Sequence, residues 1–252
     1  MEGIAAARGP DASLDHGSKE TTIQADQPIR NYVLPLIEAS VTDNVYRFEQ
    51  FRGTCFLVGS GGFALTNVHT LGPQDGNVLC VMTIGSDGGW SAHDVAQNET
   101  HPSEDVALLN IPALPHLSFL RPSPKPQHSS FEYMQWAYPD DVVQELEEHG
   151  QIVNRPDLFY LQGYIRRRLS DVPLLGIKGR YFYELNEPGA IGCSGSPIIA
   201  RRGGATWEVV GIFVGERRSK TMSGYTAVGY AVRMDALTDW IPSIAGKTIF
   251  EL

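Results

Sequence analysis

From Asn31 onward the apolar residues of this chain come in short runs, interrupted too often for long helices. FRGTCFLV (51–58), GFALTNV (62–68), NVLCVMTI (77–84), DVALLNI (105–111), RYFYEL (180–185), SPIIA (196–200), WEVVGIFVG (207–215) and TAVGYAVRM (226–234) are separated by turn-forming stretches such as GSGG (59–62), SDGG (86–89) and RRGG (201–204). Runs rich in Val, Ile, Phe and Tyr, bounded by Gly, Asp and Ser, read as strands, and many of them in succession read as an all-β sandwich or barrel. Helical pattern is confined to DDVVQELEEHG (140–150) and to MDALTDWIPSI (234–244), where a short C-terminal helix is expected.

Prolines 112, 115, 122, 124 and 126 crowd one stretch. Proline removes a backbone donor, so no central strand runs through it. The expected organisation is a flexible polar tail (1–29), a first β-lobe (30–115), a proline-rich linker (116–130) and a second β-lobe carrying the C-terminal helix (131–252). At 252 residues the chain is long enough to bury a real core in each lobe.

The formal charge is −9, which argues against nucleic acid as the main partner. No apolar run approaches the ~20 residues of a membrane span, and residues 1–29 lack the apolar core of a secretory signal. Cys55, Cys80 and Cys193 are odd in number and widely spaced, so neither a disulfide framework nor a metal-ligand pair is expected. Together these features lead us to expect a cytoplasmic, reducing setting.

Three motifs carry chemistry. LTNVHT puts His69 at the end of an apolar strand; EDVALLNI puts Asp105 at the head of another, 36 residues on; GAIGCSGSPII puts Ser194 in a glycine-rich turn before a third. A serine hydroxyl needs a base to take its proton, and imidazole titrates in the right range. The imidazole needs a carboxylate to fix its tautomer, a role Asp105 can fill. The oxyanion needs converging backbone donors, which the turn supplies through the N–H groups of Gly192 and Ser194. Each motif alone is a commonplace turn or cap; the order His, Asp, Ser on an all-β chain makes them a set.

In that order the motifs resemble those of the chymotrypsin-like (trypsin-like) serine peptidases. GTCFLV with LTNVHT is similar to the family's strand pair ending in the histidine, DVALL to its aspartate strand, and GCSGSP to its Gly-x-Ser-Gly-x-Pro turn. Ser196-Pro197, AYPDD (137–141) and VVGIFVG lean toward the glutamyl endopeptidase-like and Htr-like branches. The resemblance spans about residues 45–235 and implies two packed antiparallel β-barrels with the cleft between them. It also implies a serine endopeptidase acting on polypeptides through an acyl-enzyme, without a cofactor.

Departures from the family pattern matter as much. Cys193 stands where zymogen-type trypsins carry the aspartate that pairs with a freed N-terminus, so activation by N-terminal insertion is not expected. Thr70 follows His69 where a disulfide cysteine would stand. By resemblance the specificity pocket is walled by Pro188, Gly189 and their neighbours, and by Phe213, Val214, Gly215 and Glu216. Pro188 replaces the aspartate that selects basic residues, and Phe213 the histidine that selects glutamate; an apolar ring offers a carboxylate no partner. A small polar or medium apolar substrate residue fits these walls; Glu216 favours a basic one, and Arg217 and Arg218 oppose it. The preference stays open.

Control by narrow substrate choice, or by an activating or regulatory protein partner, is expected of such a chain in a cytoplasm. ELEEHG (145–150) is an acidic surface segment that could also serve as a partner-docking loop. Cys193 as nucleophile would need the register Gly-x-Cys-Gly, whereas Ser194 precedes Gly195 here. A serine esterase of the α/β-hydrolase type would carry the order Ser, Asp, His. A catalytically silent adaptor module of the same fold remains as the rival reading, although such proteins usually lose a triad residue or the turn. Arg166-Arg167-Arg168 reads as a solvated face, His93, His101, His116 and His128 lack metal-site spacing, and GSGG does not continue into a phosphate loop.

Overall fold

The short apolar runs become strands of two antiparallel sheets, each rolled up on itself. The computed structural model describes residues 29–252 except 44, 73–75, 86–87, 115–116, 149–150, 202–206 and 223. The first sheet contains β1 (Val33–Thr42), β2 (Val45–Val58), β3 (Phe63–Thr66), β4 (Val78–Ile84), β5 (Trp90–Asp94), β6 (Gln97–Thr100) and β7 (Ala107–Asn110), in the order β5-β4-β1-β2-β3-β7-β6. Its outer strands β5 and β6 are joined only by Val95 and Ala96, whose N–H groups donate to Leu79 O and Asn110 O at 2.9 Å each. The sheet therefore curls so that one end of β5 comes beside one end of β6.

The second sheet takes β8 (Leu120–Pro122), β9 (Glu132–Ala137), β12 (Phe159–Leu169), β13 (Phe182–Leu185), β14 (Pro197–Arg201), β15 (Trp207–Thr221) and β16 (Gly224–Arg233). Its order is β14-β9-β12-β13-β16-β15-β8, and β14 also pairs with β15, which closes six strands into a ring. The proline-rich stretch contributes β8, a three-residue strand laid parallel on the outer edge of β15. An edge is where a proline-containing strand is tolerated.

Alternation along the strands explains why the runs are apolar on both parities. Leu34, Leu36, Cys55, Leu57, Ala64 and Leu109 fill the first barrel, while their neighbours Val33, Phe56, Val58, Leu65 and Leu108 face the other way. These meet Leu120, Met134, Val209, Ile212 and Val232 of the second barrel in one cluster between the two. Strands covered on both faces lose the apolar–polar alternation.

Two helix expectations are corrected. Residues 143–148 form β10 (Val143–Glu148), paired with β11 (Gln151–Pro156) from Val143↔Pro156 to Glu148↔Gln151. Cross-strand bonding satisfies the backbone there, where a short isolated helix is marginal. Of the helix expected over 234–244, a single 3-10 turn, Met234–Ala236, is present. Pro242 and the packing of the chain against the first barrel end it: Trp240 meets His101 edge-on at 5.2 Å, and Ile244 N–H donates to Glu99.

Candidate active site

His69 sits on a turn after β3, and Asp105 on the turn before β7, the strand that pairs with β3. The pairing of these strands brings the two turns together. Asp105 is buried, and its Oδ2 lies 2.6 Å from His69 Nδ1. Its Oδ1 accepts the Val68 N–H at 2.8 Å and the His69 N–H at 3.2 Å. Asn67 Nδ2 donates to Asp105 O at 2.7 Å, locking one turn to the other. The His69 side chain is 47% exposed, so its other ring nitrogen has room to meet a reacting group.

The aspartate turn is itself braced. His101 Nδ1 accepts the N–H groups of Glu104 (2.9 Å) and Ser103 (3.3 Å). The neutral ring therefore carries its proton on Nε2. Burial, with the positive charge of Lys178, pushes the His101 pKa down to about 4. From the second barrel Lys178 Nζ donates to His101 O at 2.8 Å and Arg180 N–H to Glu104 Oε2 at 3.1 Å.

Ser194 lies on the loop 189–196 that enters β14. Gly195 has φ +87°, and a Cβ there would fall 2.0 Å from Thr54 O, so only glycine fits. The Gly195 N–H donates to Phe213 O at 2.8 Å, and Ser196 O accepts the Phe213 N–H at 2.9 Å. Ser194 Oγ donates to Val214 O at 3.5 Å. Ser194 O accepts the Thr54 N–H at 2.8 Å. Ser194 O and Thr70 Cγ2 both lie within 3.0 Å of the point a Gly53 Cβ would occupy. The serine loop and the His69–Thr70 turn thus lie side by side.

Ile191 O accepts the Asp140 N–H at 2.9 Å. Because C=O and N–H of a trans peptide point in opposite directions, the Gly192 N–H is turned away from Asp140. Gly192 O is held in turn by Thr54 Oγ1 at 2.9 Å, and the same hydroxyl accepts the Tyr138 N–H at 3.0 Å. Among the described residues neither the Gly192 nor the Ser194 N–H has an acceptor.

Of the expected pocket residues, Pro188, Gly189, Gly215 and Glu216 are half-buried, and Phe213 and Val214 are buried. Glu216 Oε1 accepts a hydrogen bond from Arg218 Nε at 2.6 Å. Thr54, Asn67 and His101 were not among the residues sequence reasoning singled out for the site. Their one visible signal is a hydrogen-bonding side chain within or beside an apolar run. The three cysteines are free and buried; burial pushes the Cys193 thiol up to about 11. The basic run is met by acids: Arg167 pairs with Glu184 at 2.6 Å and Arg168 with Asp235 at 2.8 Å. His116 lies outside the described residues.

Residues 53–212 match the family model for the trypsin-like peptidase domain. The chain belongs to that family. Solved structures with the same fold include an HtrA-type protease, AlgW, with decapeptide: 17% identity, TM-score 0.54, covering 81% of this chain and 61% of that one. The MamO protease domain of Magnetospirillum magneticum matches at 14% identity and TM-score 0.56, over 82% of this chain and 94% of its own. The Rv3671c protease of M. tuberculosis, in an inactive form, matches at 21% identity and TM-score 0.52, over 82% and 87%. At these identities the likeness is one of fold, and this chain spans about three fifths of AlgW's length. A comparison with curated protein sequences finds no match. Family and fold are those of the trypsin-like peptidases. Among the described residues no helix is long and apolar enough to cross a membrane.

Proposed function

We propose that this peptidase is a serine endopeptidase in which Ser194 attacks, His69 moves the proton and Asp105 orients His69. The observation that carries the reading is the buried Asp105 carboxylate on His69 Nδ1 at 2.6 Å. With that nitrogen occupied, the neutral imidazole offers Nε2 as its base. The Ser194 hydroxyl turns from Val214 O toward Nε2 and gives up its proton as Oγ bonds to the substrate carbonyl carbon. Hydrogen bonds of this kind are often loose until substrate is present. His69 then protonates the leaving amine, and water releases the acyl group by the same path reversed. The N–H groups of Gly192 and Ser194 receive the oxyanion, and the Asp140–Ile191 and Thr54–Gly192 bonds fix the first of them beforehand.

Polypeptides are the substrate class. Three buried free thiols suit a cytoplasmic setting, where restraint by a protein partner or by narrow substrate choice would spare other proteins. The second reading, a silent binding module, draws on the Ser194 bond to Val214 O. A fluorophosphonate probe separates them. Labelling at Ser194, lost in His69→Ala, together with peptide cleavage lost in Ser194→Ala, is the expected result. Undiminished cleavage by Ser194→Ala overturns the mechanism, and absence of labelling in the wild type favours the silent module.

A further inference from the structure

On the endopeptidase reading, the side chain of the attacked residue would enter beside Ser194. That space is bounded by 189–192 on one side and 213–216 on the other, and the main chain of Phe213 is bonded directly to the serine loop, through Gly195 and Ser196. The Phe213 ring lies between two glycines. A Cβ on Gly189 would stand 2.6 Å from its Cζ and 3.0 Å from its Cε1; one on Gly229 would stand 2.9 Å from its Cε2. Both are closer than carbon atoms approach without something shifting, so any larger residue at either position would expel the ring. Phe213 is 1% exposed and packs with Tyr133, Cys193 and Ile198 inside the second barrel, with Ala190 against them. Backbone therefore blocks the ring at two sides and core at its back.

We infer that Phe213 floors the substrate pocket and restricts cleavage to bonds that follow a small uncharged residue: glycine, alanine or serine. The inference rests on the endopeptidase reading and deepens it. A longer side chain would have to drive the ring out of the core and forfeit its packing. A carboxylate would meet an aromatic face and lose its water without gaining a partner. Arg218 binds Glu216 Oε1, while Glu216 Oε2 is buried without a hydrogen-bond partner among the described residues; a lysine or arginine that sought it would still need the length that the ring denies.

The test uses one acyl-peptide series differing only in the residue before the scissile bond: Gly, Ala, Ser, Leu, Phe, Glu and Arg. For the wild type kcat/KM should be at least 100-fold higher for Ala than for Leu, Phe, Glu or Arg. Phe213→Ala should raise the Leu and Phe substrates at least tenfold relative to Ala; should that variant fail to fold, Phe213→Val should shift the ratio in the same direction. Wild-type cleavage after Leu, Phe or Arg within tenfold of Ala overturns the pocket assignment and leaves the peptidase reading standing. Binding tests the pocket apart from turnover. N-acetyl tripeptide acids ending in Ala or Leu are titrated into Ser194→Ala and followed by NMR. At least tenfold tighter binding of the Ala peptide supports the pocket even if no substrate is cleaved, a result that would sink the endopeptidase reading alone. Equal binding, or none, overturns the pocket.

Discussion

Thr54→Val is the sharpest probe of how the serine loop is held. The substitution keeps shape and volume and removes one hydroxyl, which donates to Gly192 O at 2.9 Å and accepts the Tyr138 N–H at 3.0 Å. Thr54 is fully buried, so water cannot replace either bond. A buried polar group left unpaired costs about 1–3 kcal/mol, and two are left. Counting for partial relaxation, the folded state should lose about 2–4 kcal/mol, read as a lower urea midpoint by tryptophan fluorescence. The activity effect has a different origin. With Gly192 O released, the peptide that follows it keeps only the Cys193 N–H bond to Ala190 O at 3.1 Å, and the glycine that carries the donor is held less firmly. Deleting one oxyanion donor outright costs roughly 100- to 1,000-fold in kcat; loosening one should cost about tenfold or more, in kcat rather than KM. Thr54→Ser retains the hydroxyl and should restore both. If Thr54→Val changes stability by under about 0.5 kcal/mol and the rate by less than about threefold, the hydroxyl is not what holds the loop.

Further outcomes follow from other parts of the molecule. His101 stays neutral to about pH 4 when folded, against about 6.5 for an unfolded histidine. The unfolded chain therefore binds a proton first as pH falls, and the stability His101 contributes is full above about pH 6.5 and is lost progressively toward pH 4. His101→Asn keeps an acceptor near the Glu104 N–H without titrating, so its urea midpoint should fall less than the wild type's between pH 7 and 4.5; parallel falls would refute this. Gly195→Ala sets a Cβ 2.0 Å from Thr54 O and 2.3 Å from Thr66 Oγ1, and should abolish fluorophosphonate labelling and lower the unfolding midpoint; a variant of wild-type stability and labelling would contradict the loop geometry. Burial raises all three thiols, so an aromatic disulfide reagent at pH 8 should leave them unreacted for many minutes in the native protein and titrate them at once in urea. Prompt reaction of one in the native state would place it outside the core.

Much of the fold was legible because the burial it requires is written into the strands. A run such as FLV in β2 or VVGIFV in β15 is apolar at consecutive positions only if both faces are covered, and two packed barrels cover both. The order of the His69, Asp105 and Ser194 motifs was legible for a similar reason, since each sits where a strand begins or ends. The pairing of 143–148 with 151–156 was not, because Val142, Val143 and Leu146 fit a helical face as well as a strand and the partner strand lies further along the chain. The Phe213 ring was not either. Its direction depends on a register shift in the β15–β16 pairing between Phe213 and Gly215, and on the absence of side chains at two distant glycines. Thr54 reads as one more residue of an apolar run until β2 is set against the serine loop.

The segment after β16 has a consequence for the order of assembly. Leu237, Trp240 and Ile249 belong to the cluster between the barrels, and Trp240 meets edge-on the ring of His101, which braces the aspartate turn. On a ribosome these residues emerge after the strands of both barrels, the last of which ends at Arg233. The barrels can therefore form singly while the seam between them is still short of three of its apolar residues. Closing the seam, and with it the contact of Trp240 on the ring that braces the aspartate turn, waits on a segment made after both barrels.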